Sequence, residues 1–289
     1  MKKIAIALFI STIFFTGCGD SGKDETKPTA TPIAYKETKS ITYNNVNVDV
    51  VIDKPALNEL DVLLVFHGTV LYDSNILPAA NIILDKFKVV LDRKDMMIVS
   101  VAYPGENMLM GDNIVQAEAA LLWVRNKANQ ELGITVKKVF LAGHSQGGYL
   151  VTRLNTMYQT NGVIANGAGP LNLVYRCRLD ENGQLGGEAG AATCTKIKNV
   201  YGTTTNNPNA YMQRSLLNFT NGFKSDILFV QGLNDSPTQM HSWPTFKQNI
   251  TSCTNCQNVQ FVEIVGGGHK SLFTSPIAKT EFNTFINNR

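Results

Sequence analysis

An α/β architecture, a mostly parallel central sheet flanked by helices, is the fold class this sequence predicts. Three observations carry it. The runs DVLLVFHG (61–68) and MMIVSVAYP (96–104) are continuously apolar rather than alternating, as strands covered on both faces must be. Stretches with apolar residues at helical spacing separate such runs, so strand and helix alternate along the chain. The 289 residues, 44% hydrophobic and 17% charged, supply a sizeable core and show no internal repeat.

The first seventeen residues stand apart from that domain. Lys2-Lys3 make a positive start, and Ile4 to Phe15 make an apolar stretch too short to span a bilayer comfortably. Residues 1–17 read as a secretory signal. Phe15-Thr16-Gly17-Cys18 resembles the lipobox of bacterial lipoproteins, and the resemblance implies that Cys18 becomes an acylated N-terminus. Each buried CH₂ contributes about 0.8 kcal/mol, so several acyl chains together form a durable anchor in the lipid bilayer. Gly19 in place of Asp implies the outer membrane if the host has two. The plain alternative is an ordinary cleaved signal. Residues 18–39, rich in Gly, Thr, Pro and charge, read as a lipidated, flexible tether, and 40–289 as the folded domain.

Without the signal the net charge falls from +3 to +1, because two lysines leave and no acid does. No basic cluster stands out, so no nucleic-acid partner is expected. Cys177, Cys194, Cys253 and Cys256 remain, and an even number in an exported chain suggests two disulfides. Three pairings are open; the local one, 177–194 with 253–256, is the expectation. Cys253-x-x-Cys256 lacks a second Cys or His pair nearby, so no metal site is expected.

Along the chain, residues 41–52 read as two strands around a tight Asn44-Asn45 turn. The strand at 61–68 precedes a helical pattern over 78–92, and the strand at 96–104 precedes a long helix over 113–132 that stops at Gly133. Val139 to Ala142 form a short buried strand. Tyr149, Leu150, Arg153, Leu154 and Met157 then recur at helical spacing, and 162–170 reads as a further strand. Residues 171–222 break this rhythm with the glycine-rich ENGQLGGEAGAA, and they read as an insert or lid. Strands at 226–232 and 259–265 flank a helix near 238–250, and a last helix spans about 278–286.

Between the strand at 139–142 and the helix after it lies Gly143-His144-Ser145-Gln146-Gly147, with no room for an ordinary loop. Gly-x-Ser-x-Gly alone is a weak signal. Between a strand and a helix it is what a nucleophile elbow requires, with Ser145 on a sharp turn above the sheet. A serine hydroxyl needs a base to take its proton. Of the four histidines, His144 adjoins Ser145 on a turn that should point the two apart, His67 ends a strand in a structural setting, and His241 falls in a helix as a surface residue. His269 remains, after Gly266-Gly267-Gly268 at a strand end where a loop can swing an imidazole over the sheet. Asp235, on the turn after the strand at 226–232, is the orienting acid; Asp226 opens that strand and lies at the opposite edge. The expected oxyanion donors are the amides of Gln146 and Thr69, with Val70 as the fallback. Tyr72, Tyr103 and Trp243 are candidates either for a pocket or for the core.

VFHGT, GHSQGG, VQGLND and GGGH, in this order and on these elements, resemble the α/β-hydrolase superfamily across residues 40–289. The resemblance implies Ser145 as nucleophile, Asp235 as acid, His269 as base, backbone donors at Thr69 and Gln146, and no cofactor. YMQRSLLNF and DILFVQGLNDSPTQMHSW followed by GGGH are similar to prolyl-oligopeptidase-type peptidases and their esterase relatives. No β-propeller stretch accompanies them and the 171–222 insert is unlike that group, so an ester, small or polymeric, is the expected substrate. A short-peptide serine peptidase is the first alternative. A non-catalytic surface binding protein on a hydrolase scaffold is the second.

Overall fold

The computed structural model describes residues 31–185 and 188–289, and the signal, Cys18 and most of the tether lie outside the described residues. Eight strands form one sheet: β1 (Tyr35–Tyr43), β2 (Val46–Lys54), β3 (Glu59–Phe66), β4 (Met97–Ala102), β5 (Thr135–His144), β6 (Gly162–Asn166), β7 (Ile227–Gly232) and β8 (Val259–Ile264). Their spatial order is β1-β2-β4-β3-β5-β6-β7-β8. The pairings β1–β2 and β2–β4 are antiparallel, and those from β4 through β3 to β8 are parallel. All the parallel strands therefore end at one edge, the place where ligands of such sheets bind.

Strand alternation sorts the core into two layers. Val62, Leu64 and Phe66 of β3 face one side, which is closed by α2 (Ile114–Asn126), α4 (Gln146–Met157) and α8 (Pro237–Thr251). Leu63 and Val65 face the other, closed by α1 (Ile76–Val90) and α10 (Pro276–Asn287). Both faces are dry, which explains the continuous apolar runs.

Several boundaries differ from the sequence expectation. Strand β1 begins at Tyr35, so residues 35–39 pair with β2 rather than belonging to the tether. YKETK alternates without a buried apolar face because this is an edge strand, and periodicity gave no signal for it. Asn44 and Asn45 take φ of 48° and 64°, the two left-handed positions of a tight hairpin. The helix expected over 113–132 is two, α2 and α3 (Ala128–Leu132), broken at Lys127 and stopped by Gly133 at φ 62°. Strand β6 ends at Asn166 rather than 170, because Gly167 turns left-handed at φ 52°.

The 171–222 segment is mostly helical: α5 (Leu173–Glu181), α6 (Glu188–Tyr201) and α7 (Pro208–Met212). Glycines hide this in the sequence, although Ala191 and Ala192 sit inside α6 and alanine is the best helix former. Cys177 and Cys194 form a disulfide joining α5 to α6, and Cys253 pairs with Cys256, the local pairing. Glu181 accepts from the Thr204 amide and hydroxyl at 2.8 and 2.6 Å, and Lys196 donates to Gly105 O at 2.9 Å, tying the insert to the loop after β4. Closing a loop of 17 residues, the 177–194 bond removes about 3 kcal/mol of unfolded-chain freedom. The Cys177→Ala/Cys194→Ala protein should lose about that much stability in urea titrations. Equal midpoints would show that the bond does not brace the insert.

Candidate active site

The site is assembled at the carboxyl edge of the parallel strands. Ser145 is the hinge between β5 and α4, with φ 58° and ψ −117°, a conformation that costs a non-glycine residue about 1–3 kcal/mol. Three backbone bonds hold it there: Ser145 N–H donates to Asn166 O at 2.9 Å, and Ser145 O accepts from Tyr149 N–H at 3.0 Å and Gly169 N–H at 3.2 Å. The flanking glycines are needed for room rather than for positive φ. A Cβ on Gly143 would lie 2.1 Å from Gly147 O, and one on Gly147 would lie 2.2 Å from Phe66 O. The motif therefore encodes how closely the elbow backbone crosses the end of β3.

Asp235 sits on the turn after β7 with its side chain 3% exposed. Its carboxylate accepts from His269 Nδ1 at 2.8 Å, Gln231 Nε2 at 3.0 Å and its neighbour's Ser236 N–H at 2.6 Å. Burial opposes the charged form. The His269 hydrogen bond and charge, with the Ser236 and Gln231 bonds, outweigh it and hold the carboxyl below its ordinary value. With Asp235 ionised, His269 Nδ1 carries the proton and Nε2 is left as an acceptor. The His269 side chain is 40% exposed, on a loop that packs where a Cβ at Gly167 would come within 2.7 Å of His269 O.

Ser145, Asp235 and His269 all border one cavity of about 680 Å³. The structure thus brings together three residues separated by up to 124 positions in the chain. No hydrogen bond joins Ser145 Oγ to His269 among the described residues; catalytic bonds of this kind commonly tighten only around a bound substrate. Thr69 borders the same cavity, and its loop passes Ser145 so closely that a Cβ on Gly68 would lie 3.3 Å from Ser145 Cβ. Gln146 is the first residue of α4, where backbone N–H groups lack intrahelical acceptors. Among the described residues, neither the Thr69 nor the Gln146 amide has a protein acceptor.

Two histidines set aside in the sequence, His144 and the structural His67, border the same cavity. The His144 ring packs against His269, with centroids 4.9 Å apart, and its Nδ1 accepts from Asn166 Nδ2 at 2.9 Å. Burial first, then the charges of His269 and Lys86, lowers it to about 3. The turn at Ser145 sends the His144 side chain under the His269 loop, where sequence separation suggests nothing. His67 is 2% exposed, stacked 4.0 Å from Tyr103, and burial lowers it to about 4. His241 is exposed on α8, as expected, against the ring of Tyr175 at 3.7 Å. Asp226 lies at the far edge in an ion pair with Arg289.

Of the aromatic candidates none lines the cavity. Tyr103 and Trp243 are core residues and Tyr72 is exposed outside it, while Val70, Ala79, Ile82, Ile83 and Met110 make the apolar wall. Sequence reasoning also missed Gln231 and Gln239, which bond each other at 3.2 Å behind Asp235. Only their places near the ends of β7 and α8 could have suggested it. Among the described residues, no group of three or more His, Cys, Asp or Glu side chains is placed to hold a metal.

His67 and His144 must stay neutral when folded but take up protons freely when unfolded. Stability is therefore complete above about pH 6.5 and falls as pH drops towards 4, by roughly 2–3 kcal/mol for each histidine at pH 4.5. Urea titrations at pH 7 and pH 4.5 should show that loss. A flat response would mean that the two rings are hydrated or ion-paired.

No protein-family model and no curated protein matches this sequence. Solved structures do match in shape. A truncated carbohydrate esterase from gut microbiota superposes with a TM-score of 0.67 at 14% identity, covering 90% of this chain and 98% of that one. A hyperthermophilic esterase from Pyrobaculum calidifontis gives 0.63 at 15%, covering 89% and 86%. The chain has the α/β-hydrolase fold. A Pyrococcus horikoshii acylaminoacyl peptidase matches at 0.62 and 14% identity, with 88% of this chain covering 42% of that longer one. Within the α/β-hydrolase fold, the elbow after β5, the acid after β7 and the histidine after β8 occupy loops at the same sheet edge.

Proposed function

We propose that this protein is a serine hydrolase that cleaves carboxylic esters through an acyl-enzyme on Ser145. The observation that carries the proposal is the strained serine turn at one cavity with the bonded His269–Asp235 pair. His269 Nε2 takes the Ser145 proton as Oγ attacks the carbonyl carbon and the carbonyl π-electrons move to oxygen. The amides of Thr69 and Gln146 hold that oxyanion, each contributing about 2.7–4 kcal/mol in the transition state. The imidazolium, steadied by Asp235, then gives its proton to the leaving alcohol. Water repeats the sequence on the acyl-enzyme and frees the acid.

Ester is favoured because two of the matching structures above are esterases. A peptidase reading draws on the acylaminoacyl peptidase likeness. The leader through Cys18 supports export and a lipid anchor, which would put the reaction at the cell envelope. A fluorophosphonate probe should label the protein once, on Ser145, and short-chain acyl esters should turn over faster than aminoacyl arylamides. Arylamide preference would favour the peptidase. No labelling and no turnover would leave a binding protein on a hydrolase scaffold.

A further inference from the structure

The insert places a cation in the cavity whose charge nothing among the described residues cancels by an ion pair. Arg176 of α5 lines the cavity with Ser145, Asp235 and His269. Its guanidinium makes no hydrogen bond or ion pair among the described residues, and its Nε is buried without an acceptor. Asp180 and Asp235 act on it only through space. Of these, Asp235 is already occupied by His269, Gln231 and the Ser236 amide.

The position is built rather than incidental. Arg176 lies next to Cys177, whose disulfide to Cys194 clamps α5 against α6 beside Thr193, another cavity residue. The guanidinium lies against α6 at Gly190, where a Cβ would be 2.6 Å from one terminal nitrogen and 3.3 Å from Nε. A side chain at 190 would push Arg176 from its place. Lys86 and Lys270 also line the cavity, and Asp235 is the one carboxylate among the described lining residues. An arginine with free N–H donors in a partly dry cleft is suited to a planar anion.

We propose that Arg176 sets substrate specificity by binding a carboxylate carried by the ester, so that the preferred substrates are acidic esters whose apolar part lies along Val70, Ile82 and Met110. This rests on the hydrolase reading above. The cleaved bond is an ordinary ester, and the carboxylate takes no part in bond breaking.

Two substrate pairs isolate the carboxylate, which a methyl group replaces in the first and a methyl ester masks in the second. The 4-nitrophenyl monoester of adipic acid is compared with 4-nitrophenyl hexanoate, and 4-acetoxybenzoate with its methyl ester, putting the anion on the acyl or the leaving side. In at least one pair the charged member should have the higher kcat/KM by about tenfold, the factor that about 1.4 kcal/mol supplies. Arg176→Gln should erase that preference, mainly through KM, while turnover of the neutral esters stays within about twofold. Arg176→Lys should restore part of it, and 0.5 M salt should weaken it in the native protein.

A native protein that favours neutral esters in both pairs overturns the proposal and leaves the hydrolase reading standing. So does an Arg176→Gln protein that loses both members of each pair equally, since the residue would then merely dock the insert. If nothing is hydrolysed and no probe reacts, the hydrolase reading fails. Calorimetry of monomethyl adipate binding to native and Arg176→Gln protein then decides for Arg176 separately: binding only to the native protein supports the anion site, and equal or absent binding overturns it.

Discussion

Ser145→Ala is expected to lower kcat by roughly 10⁴- to 10⁶-fold on any ester the protein hydrolyses, and to abolish fluorophosphonate labelling. The size follows from what is lost. His269 Nε2 would have no hydroxyl to deprotonate, and water would have to attack the ester carbonyl directly. The donors at Thr69 and Gln146 and the binding walls would remain, so a residue of activity above the uncatalysed rate should persist. The fold should not suffer. Ser145 is held by its own amide and carbonyl, through Asn166, Tyr149 and Gly169, and its Oγ makes no hydrogen bond among the described residues. Unfolding free energies should therefore agree within about 1 kcal/mol, in line with a substitution that disturbs no packing. Full activity in Ser145→Ala, measured against several ester lengths, would end the acyl-enzyme proposal.

Gly147→Ala, like Gly143→Ala, should be among the most destabilising single methyls that could be added to this chain's elbow. The new carbon would lie 2.2 Å from Phe66 O and 2.6 Å from both Phe66 C and His67 O. These are backbone atoms at the end of β3, which is paired on both sides by β4 and β5 and cannot retreat. Overpacking commonly costs about 1–3 kcal/mol, and backbone against backbone belongs at or above the top of that range. At about 2–4 °C per kcal/mol, the midpoint should fall by roughly 6–12 °C. Activity should fall too, because relief of the clash moves Gln146 and Ser145, and a misplacement of about 1 Å can cost a hundredfold. Gly133→Ala is the contrast. That glycine has φ 62° but nothing within 4 Å, so only the left-handed conformation resists, at about 1–2 kcal/mol, and catalysis should be untouched. Equal tolerance at both positions would show that the close approach at the elbow is not real.

The chain's order of elements was legible because each is a local property. Continuous apolar runs fall on β3, β4, β5 and β7 because their neighbours cover both faces, and the elbow announces itself since strand, serine and helix are consecutive. Even the acid and the distant histidine could be nominated, because both follow strands that must end at the same edge. Residues 35–39 of edge strand β1 and helix α6 escaped notice for the opposite reason. The former show no buried apolar face, and the latter hides its alanines among glycines.

What no reading of the string could supply is which side chains meet across elements. His144 looked like a bystander of Ser145, and only the left-handed turn puts its ring against His269. Gln231 and Gln239 brace Asp235 from two different elements. Arg176 reaches the cavity from an insert whose helices α5 and α6 are joined by a disulfide. Local sequence sets the period and the turns, through sterics that act within a few residues. Contacts between residues far apart depend on how layers pack, and that is a property of the folded chain as a whole.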